Sequence, residues 1–259
     1  IVLKKGKKRK KVMIAAHMDE IGFIVTHIDE RGFVYFHTLG GFDPKTLTAQ
    51  RVIIHGNQDV LGVMGSKPIH LMTQEDRKKP PALKDYFIDT GMSAQELKQK
   101  ISVGDSITRE RKLVEMGENL NCKSLDNRIS VYILVEMFKE MKKPPPYDVY
   151  GVFTVQEEVG IRGAKVASME INPDFGFGLD TTIAWDTPGS TEQERVSSLG
   201  EGACIKIMDS STLCDYRMVS YMKEIAKKKK IKCQLEILPS GGTDTAGIQR
   251  MNPGGSIAG

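Results

Sequence analysis

Two glutamates stand side by side at the end of an apolar run, in Val155-Gln156-Glu157-Glu158-Val159-Gly160. Adjacent carboxylates at a strand end cannot both be buried without a partner, because an unpaired buried charge is costly. A divalent cation with a bound water would satisfy them. One carboxylate would bind the ion while its neighbour takes a proton from the water. Four further motifs carry compatible chemistry: His17-Met18-Asp19, Asp126, Asp180, and Gly241-Gly242-Thr243-Asp244. One imidazole with several carboxylates suits zinc, cobalt or manganese, and no soft sulfur set accompanies them. Asp19 is placed to accept the second ring proton of His17, the usual support of a ligating histidine. Singly, each motif also has a structural explanation. His17 could be a satisfied core histidine, Asp126 a helix cap, Asp180 a cap for Thr181-Thr182, and Asp244 a turn residue.

The elements that must position these groups can be read from periodicity. Val12–Ala16 is a short apolar run and reads as a buried strand ending at His17. Gly22–Ile28 and Phe33–Phe36, joined by a charged, glycine-bearing turn, give a hairpin signal. Gln50–His55, Val60–Met64 and Asp105–Thr108 read as further strands, and Gln74–Pro81 as a charged loop. Ser93–Lys100 reads as a short helix with Ser93 as N-cap and Glu96 three residues on. After Cys122 the texture changes. Asn127–Lys143 has helical spacing and ends before Pro144-Pro145-Pro146. Asp148–Val155 is then a strand, Gly163–Met169 a helix, Phe175–Leu179 a strand, Tyr216–Lys230 a helix and Lys232–Leu238 a strand.

Strands alternating with helices predict a mainly parallel or mixed α/β sheet. Residues 20–120 then form a β-rich insertion into a discontinuous α/β domain made of 1–19 and 121–259. In open α/β sheets ligands bind outside the carboxyl ends of the strands. That rule would gather the His17, Glu157, Glu158, Asp180 and Asp244 motifs at one edge of one sheet, with Asp126 at the mouth of the helix that follows it. His27, His37, His55 and His70 fall in the β-rich part and read as structural or surface residues.

Bulk properties exclude several classes. The 259 residues are 40% hydrophobic and 27% charged, with a formal net charge of +4. That balance implies no general affinity for nucleic acid or acidic membranes. Lys7-Lys8-Arg9-Lys10-Lys11 is a dense basic run without an aromatic platform, and reads as a solvated loop. No apolar stretch reaches the ~20 residues that span a bilayer, and no secretory signal is visible. Cys122, Cys204, Cys214 and Cys233 make no Cys-x-x-Cys pair, so a reducing cytoplasm is expected.

The motifs also carry a resemblance. Ala15–Gly22, Ser124–Arg128, Val155–Ala164, Gly178–Asp180 and Gly241–Asp244 occur in the order and at the spacing of the dinuclear-metal aminopeptidases of the glutamyl aminopeptidase and tetrahedral (TET) peptidase type. Older usage also labels such proteins endoglucanases. The resemblance spans nearly the whole chain. It implies a mixed-sheet, zinc-exopeptidase-like α/β catalytic domain with an inserted β-barrel-like dimerisation domain. It implies homo-oligomers, with dimers building a hollow dodecamer, and a peptide substrate. It also implies two divalent ions, zinc or cobalt. Asp126 would bridge them, His17 and Asp180 would complete one site, and Glu158 would serve the other. Glu157 would be the general base and Asp19 would orient His17.

Two departures set further expectations. The resemblance places a last ligand, a histidine, on a strand beyond the Gly-Gly-Thr-Asp loop, and a helical segment before the first strand. Histidines end at His70 here, so the expectation is a chain truncated at both ends. Gln249 stands where relatives often have histidine. Two other functions compete with this one. A glycosidase needs two carboxyls facing across a bond, about 5–5.5 Å or about 6.5–9.5 Å apart. Neighbouring Glu157 and Glu158 cannot supply that alone, and the single Trp185 offers little sugar-stacking surface. A catalytically lapsed assembly subunit rests only on the missing late histidine.

Overall fold

The computed structural model describes residues 9–251 and 257–258. In chain order the first elements are β1 (Lys11–His17), β2 (Gly22–Ile28), β3 (Val34–Leu39), β4 (Arg51–His55) and β5 (Asp59–Ser66). Next come α1 (Gln74–Lys78), β6 (Tyr86–Asp89), α2 (Ala94–Leu97), β7 (Ser106–Arg109), β8 (Val114–Met116) and β9 (Asn119–Asn121). Then follow α3 (Leu125–Glu140), β10 (Asp148–Thr154), α4 (Arg162–Ile171), β11 (Phe175–Gly178) and β12 (Ala203–Met208). The last are α5 (Tyr216–Lys229), β13 (Cys233–Ile237), α6 (Asp244–Met251) and β14 (Ile257–Ala258). The chain divides into two compact units. One holds the residues up to Asp19 and from Leu125 onward; the other is Glu20–Ser124.

The first unit is built on a four-stranded sheet in the order β10-β1-β11-β14, with every pairing parallel. Strand β1 is central, with Lys11 opposite Asp148 and His17 opposite Thr154 on one side, and Val12 opposite Phe175 on the other. A strand covered on both faces must be apolar along its whole length, and Met13, Ala15 and Ala16 are fully buried. Met13, Ala15 and Val152 pack with Ile248 of α6 and with Ala167 and Ile171 of α4. The opposite face receives α3, because a Cβ on Gly151 would fall 2.3 Å from the ring of Phe138. Successive strand residues point to opposite faces, so Gly151 and Val152 assign the two helical layers. This is the α/β arrangement that alternating strands and helices imply, and the Asn127–Lys143 periodicity corresponds to α3.

Strand β13 departs from expectation. It pairs with β12 alone, in a separate two-stranded parallel sheet. The strand before Gly241–Asp244 therefore does not extend the main sheet, and Asp244 reaches that sheet as the first residue of α6. Helix α5, behind this small sheet, begins at Asp215, whose carboxylate accepts from the backbone N–H of Arg217 and Met218. It ends at Lys227, Lys228 and Lys229, which suit the negative end of the helix dipole.

The second unit is a closed six-stranded barrel in the order β2-β3-β6-β5-β4-β7. Its strands alternate buried and exposed residues; β5 does so from Asp59 to Met64. The inward residues form one cluster, including Phe23, Val25, Val52, Ile54, Ile88 and Ile107. Phe23 stacks on Phe42 at 4.3 Å between ring centroids and meets Phe36 edge-on at 5.1 Å. Closure removes the exposed sheet edges that an open sheet of this kind would present. The expected Ser93 cap is present, with Glu96 completing a capping box on α2. The expected Gln74–Pro81 loop instead contains α1, started by a capping box of Thr73 and Asp76. Five polar residues carry no helical periodicity, so only that cap marked it. No helix among the described residues is long and apolar enough to cross a membrane.

Ile54 is fully buried in the barrel cluster. Its replacement by alanine leaves a cavity, and the expected cost is about 2–5 kcal/mol of stability, read as a lower midpoint in urea unfolding. An unchanged midpoint would place Ile54 outside the core.

Candidate metal centre

All strands of the main sheet run in one direction, so their carboxyl ends share an edge. β1 delivers His17 and, just beyond it, Asp19. β10 leads to Glu157 and Glu158, β11 to Asp180, and α6 starts at Asp244. Asp126 lies in the first turn of α3, where its own φ and ψ are −79° and 106° and those of Asn127 are −124° and 31°. Both are non-helical, and the peptide between them is cis.

The His17 ring is the hub. Its Nε2 lies 3.2 Å from Asp126 Oδ1 and 3.6 Å from Asp180 Oδ1. Its Nδ1 lies 3.1 Å from the backbone carbonyl of Asp19 and 3.5 Å from Asp19 Oδ1. Ligand atoms of His17, Asp126 and Asp180 all fall within 4.8 Å of one another. The support of His17 by Asp19 thus comes through the main chain as well as the carboxylate. The Asp19 carboxylate has a second task that the sequence did not reveal: it accepts from the backbone N–H of Glu157 and of Glu158, each at 3.2 Å. Gln156, just before them, has a left-handed backbone with φ of 61°. That turn presents both N–H groups to one acceptor. Gly163 lets α4 begin close by, since a Cβ there would lie 2.5 Å from the Val155 carbonyl oxygen.

Electrostatics follow from crowding. Burial opposes a proton on His17, but the carboxylates of Asp126, Asp180 and Asp19 outweigh it and hold its pKa above the ordinary histidine value. Burial, with Asp180 nearby, pushes Glu157 up to about 8. Burial and Asp126 push Glu158 up to about 7. Burial raises Asp180 despite its contact with His17. Burial also raises Asp244 to about 6, although Thr154 donates to its Oδ2. Asp19 runs the other way: burial opposes its charge, but His17 and the two backbone donors keep its pKa low. Asp180 also accepts from the Thr181 N–H at 2.8 Å, so its capping role and its place beside His17 coexist.

The donor set fits a divalent cation. Among the described residues, no lysine or arginine pairs with any of these carboxylates; the only cationic partner is His17. Two carboxylates facing one ring nitrogen are favourable only with positive charge between them, a proton or a metal ion. Neither Glu157 nor Glu158 accepts a hydrogen bond at its carboxylate among the described residues, and Asp244 Oδ1 is buried without a partner. Oxygen donors with one imidazole suit zinc, cobalt or manganese. Thr154 and Asn127 complete the surroundings and were not singled out by sequence. Thr154 was hidden inside an apolar strand, and Asn127 looked like the first turn of an amphipathic helix.

The arrangement has counterparts. A family profile described as M42 glutamyl aminopeptidase matches residues 1–258. A putative aminopeptidase of Acetivibrio thermocellus is 38% identical over 249 residues, covering 96% of this chain and 72% of the relative. The crystal structure of a TET aminopeptidase from the marine sediment archaeon Thaumarchaeota archaeon SCGC AB-539-E09 superposes with a TM-score of 0.93. It is 34% identical, over 98% of this chain and 73% of that one. A Pyrococcus horikoshii TET1 peptidase, described as able to assemble into a tetrahedron or a large octahedral shell, gives a TM-score of 0.79. It is 26% identical, over 98% of this chain and 75% of that one.

Because Asp19 holds both the His17 ring and the Glu157-Glu158 backbone, Asp19→Ala is expected to weaken zinc binding by about 10–100-fold. Isothermal titration with Zn²⁺ measures this. Wild-type affinity in the variant would show that Asp19 does not support the site.

Proposed function

The chain belongs to the M42 glutamyl aminopeptidase family and is a metal-dependent aminopeptidase; on that premise we propose that it removes N-terminal residues from peptides with two divalent ions, zinc or cobalt, held at the carboxyl edge of its sheet. The observation that carries the reading is the convergence of His17, Asp126 and Asp180 within 4.8 Å, beside two glutamates with unpartnered carboxylates. In this reading His17, Asp126, Asp180 and Glu158 would be the residues that hold the ions. Bound ions of this kind polarise a carbonyl and lower the pKa of water.

Glu157 acts as the general base. It takes a proton from the attacking water and returns it to the leaving amine. Its burial, at 9% exposed, favours this role because little bulk water competes for its carboxylate. Asp19 holds its backbone in place through the Glu157 N–H. Glu157 and Glu158 occupy neighbouring positions held by the same acceptor, Asp19; in this reading one carboxylate would serve the ions while the other handles the proton.

The barrel unit is the candidate dimerisation module, and dimers would build a dodecamer. Leu113, Val114, Met116 and Leu120, on and beside the β8–β9 hairpin, are exposed. Exposed apolar residues clustered on one hairpin commonly mark a protein–protein contact. The assembly described for the Pyrococcus horikoshii peptidase supports the same reading. The four free cysteines fit a reducing cytoplasm.

Hydrolysis of aminoacyl-anilides is expected to stop on chelation and to return with Zn²⁺ or Co²⁺. Glu157→Gln should lower kcat by about 10²–10⁴-fold while Zn²⁺ affinity by calorimetry stays within a few-fold of the unsubstituted protein. Near-normal turnover in that variant would remove Glu157 from the base role. Light scattering on the purified protein is expected to give the mass of a dodecamer, and Met116→Glu with Leu120→Glu is expected to lower it. A monomeric mass for the unsubstituted protein would rule the assembly out.

A further inference from the structure

We propose that Asn127 is the positioning residue that registers His17, Asp126 and Asp180 on one another, through a hydrogen-bond ladder running from Ala15 to Leu179 to Asn127. The inference rests on the reading that these three residues hold a metal ion.

Leu179 lies just beyond the end of β11, where strand pairing has stopped. Both of its main-chain groups are nevertheless engaged. Its N–H donates to the Ala15 carbonyl at 2.8 Å, and its carbonyl accepts from Asn127 Nδ2, also at 2.8 Å. Each member of this ladder is close in sequence to one member of the cluster. Ala15 precedes His17 on β1, Leu179 immediately precedes Asp180, and Asn127 immediately follows Asp126. The two bonds therefore tie together three backbone segments that are far apart in the chain, at the points where their side chains must converge.

The Asn127 rung is the one supplied by a side chain, and among the described residues no other side chain of α3 bonds the Leu179 carbonyl. The backbone of Asp126 and Asn127 is non-helical, so the repeating i to i+4 bonds of α3 do not fix Asp126. Asn127 is fully buried. Its Oδ1 has no hydrogen-bond partner, a burden that a leucine or alanine kept merely for packing would not carry. The buried amide is explained by what its nitrogen does. It holds Asp126 at a fixed spacing from Asp180, against the mutual repulsion of the two carboxylates.

The test uses Co²⁺, whose visible absorption band reports ligand geometry, and compares Asn127→Ala and Asn127→Leu with Leu134→Ala. Leu134 is fully buried on the same helix and is a control for simple loss of stability. Both Asn127 variants are expected to bind Co²⁺ about 10–100-fold more weakly, with a shifted or broadened band. Leu134→Ala should melt earlier yet keep the affinity and band of the unsubstituted protein. Asn127→Gln, which keeps the amide on a longer arm, should recover part of the loss. If Asn127→Ala does not fold, Asn127→Leu provides the comparison at similar size without the donor and without added charge. Unchanged Co²⁺ affinity and spectrum in the Asn127 variants, with binding intact in the unsubstituted protein, would overturn the inference alone. Equal losses in the Leu134 and Asn127 variants would also overturn it, by reducing Asn127 to a packing role. Absence of Co²⁺ binding in the unsubstituted protein would remove the metal reading and the ladder's purpose together.

Discussion

A surplus of negative charge around one imidazole is the constraint on which this structure depends. Asp19, Asp126, Glu157, Glu158, Asp180 and Asp244 feel one another and His17, as the raised pKa values of both glutamates, Asp180 and Asp244 record. Left to themselves, such groups would separate into water. They stay together because each is attached to a rigid element whose own stability comes from elsewhere. The apolar interior strand β1, flanked by β10 and β11, supplies that stability through burial. The cost of assembling the charges is thus met by packing remote from them, as is common where function requires local repulsion.

Parallel strand direction turns this stability into chemistry. His17 sits opposite Thr154 in the register, and the Thr154 hydroxyl donates to Asp244. The end of β10 thereby restrains a carboxylate that arrives from α6. Gly178 makes room for the start of that helix, because a Cβ there would lie 2.3 Å from Thr245 Oγ1. Asp19 restrains the Glu157-Glu158 turn through two backbone donors. Main-chain groups take part in most of these restraints, and among the described residues the Glu157 and Glu158 carboxylates are left without hydrogen-bond partners.

Much of this was legible in the sequence because strand ends and charge coincide there. His17, Glu157, Glu158 and Asp180 all follow apolar runs, and the helical spacing after Asn127 is strong. The barrel was visible as a β-rich texture, although the four-residue β6 was not, since Tyr86–Asp89 follows a lysine- and proline-rich stretch. β12 was missed because Lys206 interrupts it; ion pairs with Glu236 on β13 and with Asp209 explain a charge there. The assignment of β13 to the main sheet failed because sequence shows that a strand exists but not which strand it pairs with. Asn127 was unreadable for a similar reason. Its partner is a backbone carbonyl, and every residue has one.

The order of pairing in the central sheet also bears on how the chain is made. Both neighbours of β1 come after the whole barrel segment in sequence. During synthesis the apolar Lys11–His17 stretch therefore waits, unpaired on both edges, until β10 and β11 have left the ribosome. The barrel, with its own closed set of local pairings, can complete itself in that interval. Maturation of the reactive pocket is thereby placed at the end of biogenesis, and a nascent chain interrupted before Thr154 would display a sticky, partnerless strand to chaperones while remaining incapable of cutting its neighbours.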